Sequence, residues 1–416
     1  MIYLRNNLLI YFSWDTVTPG IFLTLSIRIS QWLAISSFFH CWIRTSSRVW
    51  DIFYHFKIGD QVLGLITRQT QTLYEYSQDT EAWRKYPCSS YLKMVDIRTL
   101  DELRSYWNKY ATFERLALEQ KDKFFEQQAR MSARMATRLG GATVQGPSCS
   151  AGMLWPEALA PVTDLFRKYW QTGTTFTLAR DIQNAKNLNS AFVYSMSGEE
   201  FLPNDGTFPQ RLHLISAVAP LKSDPTGSTP TQGSAIDISK QQLKVWCESF
   251  CERRKTQNLT IRFFAGDAIT FCCALDSLRV TGESTTDIFV ANYRAAQIHF
   301  DQDNTTPTSF DVIDTSNLTD HVGLLNLLIV AHPLLKETPA SQSVLYTESL
   351  LPFGKDPTKS FPERIYTDIP TWRCCLGLFP GHIFPISQCN PIFMNYCMLR
   401  TRINTANEQY GAPLSR

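Results

Sequence analysis

The sequence carries almost no net charge, because 38 acidic residues balance its 40 lysine and arginine residues and leave +2. Proteins that bind nucleic acid through counterion release usually carry a much larger basic excess, so this composition disfavours a nucleic-acid partner. The chain also lacks a Walker-type loop, a glycine-rich dinucleotide loop and any C-x-x-C pair. Its histidines stand in no recognisable catalytic order with a serine or cysteine. The sequence therefore identifies no catalytic residue.

Intrinsic disorder is excluded for most of the length. Hydrophobic residues make up 44% of the 416 residues and charged residues only 19%, which is enough apolar material for a sizeable core. A chain of this length conventionally holds two or three domains.

The eleven cysteines are odd in number and scattered along the chain, unlike the even sets of secreted disulfide frameworks. This usage predicts an intracellular, cytoplasmic protein with reduced thiols. Cys247 and Cys251 are four residues apart on a predicted helix and could supply two of the four ligands of a zinc site. The sequence offers no second pair of ligands with suitable spacing. We therefore interpret them as core thiols and expect no metal site.

Residues 21–43 are almost continuously apolar and aromatic, and that length can cross a bilayer. Arg28 argues against a span, since a cation inside the membrane costs about 2.5–3.5 kcal/mol. The other interpretations are a buried segment and a stretch foreign to the natural fold. Residues 1–45 are thus an apolar N-terminal segment of doubtful status, and we expect no membrane contact unless 21–43 spans.

Changes in composition and turn-rich stretches divide the rest of the chain into three regions. These are a helical region at 46–145, a mixed insertion at 146–238 and an α/β half-sheet domain at 239–416. The insertion ends in a turn-rich linker at 221–235, which we take as the clearest boundary. The stretch Ala191–Ala219 is expected to supply one or two strands.

The helical region shows three signals. Thr99 and Glu102 have the spacing of a capping box at the start of one helix. A longer helix is predicted from Leu116 to Leu139, where Gly140-Gly141 ends it. Arg130, Arg134 and Arg138 recur at every fourth residue of that helix and form a basic stripe. A stripe of this kind is more often a solvated face than a contact with an anionic partner.

Three apolar segments predict strands: Leu259–Phe264, Phe310–Asp314 and Ser343–Thr347. Between the last two, Asp320 or Thr319 is expected to cap a helix that runs to Leu335. A strand, a helix and a strand within about 35 residues are typical of a right-handed parallel βαβ unit. The predicted class is therefore α/β.

Polar residues follow each of these strands. Ligands of open parallel sheets bind beyond the carboxyl ends of the strands, so these residues are candidates for a ligand-facing edge. For each of them taken alone, capping or turn chemistry is the favoured interpretation. For the set, a ligand-facing edge is favoured, because every strand end contributes a polar residue. The candidates are Gly266 and Asp267 after the first strand, Asp314, Thr315, Ser316 and Asn317 after the second, and Thr347 and Glu348 after the third.

Several motifs together resemble one protein family. They are Phe264-Ala265-Gly266-Asp267-Ala268, the run from Phe310 to Leu328, Leu345-Tyr346-Thr347-Glu348, Val49–His55 and Tyr106–Ala111. These segments resemble fungal proteins that carry a domain of unknown function shared with the dynein axonemal assembly factor 3 family, often beside a MYND-type zinc finger. The resemblance covers about residues 46–416.

The resemblance implies a Rossmann-like, methyltransferase-like, mostly parallel sheet, here incomplete and with an added helical region. In that comparison Gly266, Asp267 and Ala268 would contact the adenine of S-adenosylmethionine, and Asp314–Asn317 would meet substrate. The chain looks like a truncated member, because the first strand with its glycine loop would precede Arg5 and the MYND cysteine pattern is absent.

The hypothesis that follows is a non-catalytic binding or scaffold protein with protein partners and no expected cofactor. The alternatives are an S-adenosylmethionine-dependent methyltransferase, in which Asp314, Asn317 or Glu348 would contact substrate, and a zinc-dependent adaptor.

Overall fold

The structure of the chain is a computed structural model. It describes residues 2–5, 8–13, 46–138, 156–193, 207–210, 213, 232–257, 259–291, 294–300, 306–315, 318–337, 343–349, 360–366, 371, 378–385 and 395–401. The apolar stretch 21–43, most of the predicted linker, Ser316 and Asn317 lie outside these ranges.

The described part of the chain alternates helices and strands, and this confirms the mixed α/β class. The helices are α1 (Ser46–Tyr54), α2 (Asp60–Tyr76), α3 (Thr80–Arg84), α4 (Ile97–Thr112), α5 (Leu118–Arg138), α6 (Pro156–Thr172), α7 (Ala179–Asn184), α8 (Gln232–Lys255), α9 (Ala268–Thr281), α10 (Thr319–Val322), α11 (Leu324–Ala331) and α12 (Ser360–Ile365). The strands are β1 (Ile2–Arg5), β2 (Leu8–Ser13), β3 (Lys57–Ile58), β4 (Leu92–Met94), β5 (Asn187–Leu188), β6 (Thr260–Ala265), β7 (Thr285–Ala291), β8 (Arg294–His299), β9 (Val312–Asp314), β10 (Val344–Ser349), β11 (Leu378–Pro385) and β12 (Asn395–Thr401).

The chain forms two compact units. The helical unit comprises residues 13–265 with 388–390, and the sheet unit comprises 1–12, 266–387 and 391–416. The predicted helical region and mixed insertion both lie in the helical unit, which extends to the end of β6.

Aromatic side chains fill the core of the helical unit. Trp50, Trp107 and Trp170 are each no more than 1% exposed. The Trp107 ring stacks on Trp83 with centroids 5.7 Å apart, and Phe56 lies 5.4 Å from Trp170. Burying such large side chains is the main stabilising contribution in this unit, because each removes about 150–250 Å² from water.

Helix α4 buries Leu100, Leu103 and Trp107 at helical spacing, as the sequence predicts, but its capping differs from the prediction. The N-cap is Asp96, whose Oδ1 accepts the Thr99 amide at 2.8 Å. The Thr99 hydroxyl also donates to Asp96 and accepts the amide of Ala265. The capping-box assignment to Thr99 and Glu102 is therefore wrong, because an aspartate three residues earlier caps the helix.

Strands predicted in Ala191–Ala219 are not found in the described part of that stretch. Residues 191–193, 207–210 and 213 are described there, and Ser190–Phe192 form a 3-10 helix that Asn189 caps. The segment packs in the core, with Phe192 only 3% exposed. The apolar residues Ala191 and Phe192 therefore lie in a short buried helical turn and not in a strand.

The sheet unit contains the strand order β11-β12-β10-β9-β1-β2. β9 is parallel to β10 on one side and to β1 on the other. The remaining pairs, β1 with β2, β10 with β12 and β11 with β12, are antiparallel. The parallel pair β9–β10 confirms the predicted strand–helix–strand unit.

One expectation about this sheet is wrong. Leu259–Phe264 was expected beside Phe310–Asp314, but both edges of β9 are filled by β1 and β10, and β6 pairs in parallel with β4. The hairpin of β1 and β2 lies in the N-terminal segment of doubtful status, for which the sequence made no strand prediction. Strand order is decided by pairing between distant segments, which local alternation does not encode.

The helix predicted from Asp320 to Leu335 is interrupted. Gly323 has φ +82° and separates α10 from α11, and a 3-10 turn at His332–Leu334 ends the segment. The residue before α10 is Leu318, so neither Asp320 nor Thr319 is the cap. Helical residues have a negative φ, so the helix is interrupted where φ becomes positive. Glycine suits this position because a residue with a Cβ adopts a positive φ only at a free-energy cost.

Among the helices that the structure describes, none has the length and apolar character that a membrane span requires.

Candidate functional site

The carboxyl ends of β9 and β10 lie side by side, with Asp314 in register with Tyr346. Ile313 and Leu345, also in register, are fully buried, while Asp314 is half-buried and Tyr346 is 37% exposed. Since side chains alternate across a strand, Asp314 and Tyr346 occupy the more accessible face. The structure therefore brings together the candidate residues of these two strands.

Thr315 forms hydrogen bonds within the sheet and is not exposed to solvent. It is fully buried, and its amide and hydroxyl both donate to the carbonyl oxygen of Tyr346, at 3.0 and 3.2 Å. These bonds extend the parallel ladder beyond Asp314. A hydroxyl held in this way is not available to a substrate.

Thr347 follows Tyr346 on the buried face of β10. It is 5% exposed, and its hydroxyl has no hydrogen-bond partner among the described residues. A buried hydroxyl without a partner costs about 1–3 kcal/mol. Glu348 continues β10 opposite Tyr396 of β12. The Glu348 side chain and residues Ser316 and Asn317 are outside the description, so their part in the predicted edge stays a prediction.

The candidate adenine contact at Gly266, Asp267 and Ala268 is a helix N-terminus. Asp267 is the N-cap of α9, and its Oδ1 accepts the amide and the hydroxyl of Thr270 at 2.7 and 2.6 Å. Ala268 is 6% exposed and packs in the core. The local geometry thus matches the capping interpretation that the sequence leaves open.

A buried ion pair lies beyond the sequence predictions. Nη1 of Arg364 in α12 lies 3.2 Å from Oδ1 of Asp320 in α10, and the two side chains are only 11% and 2% exposed. Burying two charges is costly unless they are paired, so this contact fixes α12 against α10. The two residues are 44 positions apart in the chain, and no signal in the sequence indicated the pair.

A second group of polar side chains, which sequence analysis missed, is buried in the helical unit around His55. Nε2 of His55 lies 2.7 Å from the hydroxyl oxygen of Thr175 and accepts the Thr175 amide at 3.0 Å. The indole N–H of Trp50 donates to the same hydroxyl at 2.9 Å. Nδ1 of His55 lies 3.1 Å from Asp51, outside hydrogen-bonding alignment. The i, i+4 spacing of Asp51 and His55 was the one available sequence signal.

His213 is held by both of its ring nitrogens. Nε2 lies 2.6 Å from the hydroxyl of Tyr54, and Nδ1 bonds to Oε1 of Gln242 in α8. The ring also stacks on Trp246, with centroids 4.8 Å apart. Burial lowers the pKa of His213 to about 4, with a smaller opposing effect from Gln242. Because both nitrogens are occupied, this histidine has no proton acceptor to offer a substrate.

The two cysteines in the C-terminal half of α8 are core thiols, as predicted. Cys247 is 9% exposed and Cys251 is 6% exposed. Burial raises the pKa of the Cys247 thiol, and the neighbouring Cys251 and Glu248 raise it further. A raised pKa disfavours the thiolate that a metal requires. The described residues contain no cluster of three or more side chains placed to hold a metal ion.

A groove of about 170 Å³ lies in the helical unit between α2, β5 and the start of α5. Leu63, Phe113, Phe125 and Leu188 supply its apolar walls. Lys121 also lines it, and its Nζ donates to the backbone carbonyl of Glu114 at 2.6 Å. Sites for small molecules usually enclose about 300–1,000 Å³, so this groove is small for a cofactor.

Comparison of the chain with protein-family models, with curated proteins and with solved structures finds no match.

Proposed function

We propose that this chain is a non-catalytic binding or scaffold protein, built on a Rossmann-like, methyltransferase-like sheet and related to proteins of the dynein axonemal assembly factor 3 type. It acts inside the cell with protein partners. The observation that carries the proposal is the use of the polar strand-end residues in internal bonds. Asp267 caps α9, and Thr315 completes the β9–β10 ladder.

The buried histidines support the same conclusion. His213 has both ring nitrogens occupied, and Nε2 of His55 is bonded to Thr175. A general base has to reach a substrate proton, and neither ring is exposed. Their hydrogen bonds instead join α1 to distant segments of the helical unit, which is a stabilising role.

The intracellular setting draws support from the thiols. Among the described residues, Cys88, Cys247, Cys272 and Cys273 form no disulfide, and Cys273 is exposed. Free thiols of this kind are typical of a reducing compartment.

S-adenosylmethionine is the cofactor that the resemblance suggests, and the described residues do not fit it well. The Asp267 Oδ1 atom is committed to Thr270, and Ala268 is buried. Thr315, on the predicted substrate side, is buried and bonded to Tyr346. We therefore assign no methyl-transfer step to these residues.

Isothermal titration calorimetry of the full chain with S-adenosylmethionine tests the proposal. We expect no heat of binding. Micromolar binding that is lost in Asp267→Asn would overturn the proposal in favour of the methyltransferase, because asparagine still caps the helix but removes the charge. Asp276→Asn is the matched control, since it removes a carboxylate from the exposed side of the same helix.

Metal analysis of the natively purified protein addresses the zinc-dependent adaptor. We expect less than stoichiometric zinc. One equivalent of zinc, lost in Cys247→Ser but retained in Cys273→Ser, would favour the adaptor instead.

A further inference from the structure

The groove between α2, β5 and the start of α5 has an apolar floor that is fixed within the helical unit. Leu63, Phe113 and Leu188 line it and are each no more than 5% exposed. The Phe113 ring also stacks on Phe124, with centroids 5.9 Å apart, so its position does not depend on an occupant. Phe125, 38% exposed, carries the apolar lining to the protein surface. The groove is therefore preformed and reaches the surface.

The volume of the groove sets the size of the group that it can hold. This volume is about 170 Å³. An apolar cavity of about 150 Å³ takes up one benzene molecule, whereas sites for larger ligands enclose about 300–1,000 Å³. A single phenyl ring, or an apolar side chain of that size, therefore fills the groove, and a nucleotide cofactor is too large for it.

The ammonium group of Lys121, which lines the groove and is half-buried, has hydrogen-bond donors to spare. Its Nζ donates to the backbone carbonyl of Glu114 at 2.6 Å. An ammonium carries three N–H donors, so two remain after this bond. Lys121 forms no ion pair with the residues that the structure describes. A hydrocarbon would offer these donors no acceptor, whereas a peptide brings a carbonyl oxygen together with its side chain.

Exposed apolar side chains continue the groove along α5. Leu118, Lys121 and Phe125 have the spacing i, i+3 and i+7, so they lie on one face of the helix. Leu118 is 77% exposed and Phe125 is 38% exposed. Seven residues of helix rise about 10 Å, a distance that an extended chain covers in about three residues. A short extended segment therefore has the length to contact both apolar side chains.

We infer that this groove is a docking site for an extended segment of a partner protein, which inserts one apolar side chain of the size of phenylalanine and offers a backbone carbonyl oxygen to Lys121. The inference rests on the proposed binding function and names the chemistry that a partner presents at one site. A few buried anchors, often aromatic, dominate the binding free energy of most interfaces. One anchor buries less area than the total of about 1,200–2,000 Å² in a stable interface, so this contact alone is weak.

Saturation-transfer NMR of the full chain with N-acetylphenylalanine amide, a neutral mimic of one peptide residue, measures this binding. We expect saturable binding with a Kd of about 1 mM, because the probe supplies only the anchor and its carbonyl groups. N-acetylalanine amide lacks the ring and should not bind measurably. Phe125→Ala removes one wall of the groove, and Lys121→Met removes the donors while keeping a chain of similar length. Each variant should weaken binding at least about fivefold.

Leu178→Ala is the matched control, because it truncates an exposed apolar side chain that precedes α7 and does not line the groove, and it should leave the Kd unchanged. Circular dichroism melts check that every variant remains folded. The inference is overturned if no saturable binding is found at about ten times the expected Kd, or if either groove variant binds the probe as tightly as the wild type. Both results leave the non-catalytic function standing, since the titration with S-adenosylmethionine tests that function separately.

Discussion

Nε2 of His55 lies 2.7 Å from the hydroxyl oxygen of Thr175, although 120 residues separate the two in the chain. The contact joins α1 to the segment after α6 within the helical unit. Trp50, five residues before His55 and within α1, donates to the same hydroxyl. A single threonine side chain thus ties together two aromatic residues of the core, and its removal is the most direct test of this part of the fold.

Thr175→Val should lower the free energy of unfolding by about 1–3 kcal/mol, because the buried indole N–H of Trp50 loses its acceptor. Chemical denaturation at neutral pH measures the change. Thr177→Val, at an exposed position two residues later, is the control and should have little effect. Equal losses in the two variants would show that the hydroxyl contact contributes nothing specific.

Acid should destabilise the protein through His213. Burial lowers the pKa of this histidine to about 4, below an unfolded value of about 6.5, so the unfolded state binds the proton first. The contribution of the neutral ring is fully present above pH 6.5 and is lost progressively as the pH falls toward 4. The total loss is about 3 kcal/mol at about 1.4 kcal/mol per pH unit.

Denaturation curves between pH 7 and pH 4 measure this dependence, and the slope should decrease in His213→Gln. His321→Gln is the control because His321 is exposed. An unchanged slope in His213→Gln, with the protein still folded, would contradict the assignment.

Asp320→Asn should destabilise the sheet unit strongly, by about 3–5 kcal/mol, because it removes the negative charge that lies 3.2 Å from the buried guanidinium of Arg364. Thermal unfolding measures the loss. The comparison is Asp311→Asn, which breaks an exposed pair with Lys336 and should cost less than about 1 kcal/mol. Similar effects in both variants would argue that Asp320 and Arg364 are not paired in the interior.

Asp96→Ala should cost about 1 kcal/mol through the loss of the α4 cap, whereas Asp96→Asn should cost less. Glu102→Ala tests the capping box instead and should change stability by less than about 0.5 kcal/mol. The reverse order of effects, measured by urea denaturation, would restore Thr99 and Glu102 as the capping pair.

The sequence predicts those elements whose signals are local. Leu100, Leu103 and Trp107 recur at helical spacing and lie on the buried side of α4. Phe310–Asp314 and Ser343–Thr347 have strand composition, and the helical stretch between them required a parallel pair. The alternative that Asp267 caps a helix was also readable from its position before an apolar helical run.

Tertiary structure alone decided which distant groups meet. β1 fills the edge of β9 that the sequence would assign to Leu259–Phe264, and Thr175 and Arg364 find partners far along the chain. Helical and strand periodicity reports which side of an element is apolar, because that is set by residues a few positions apart. It carries no information about which other element covers that side, since the pairing depends on the shape and free hydrogen-bonding groups of segments that meet only when the whole chain has folded.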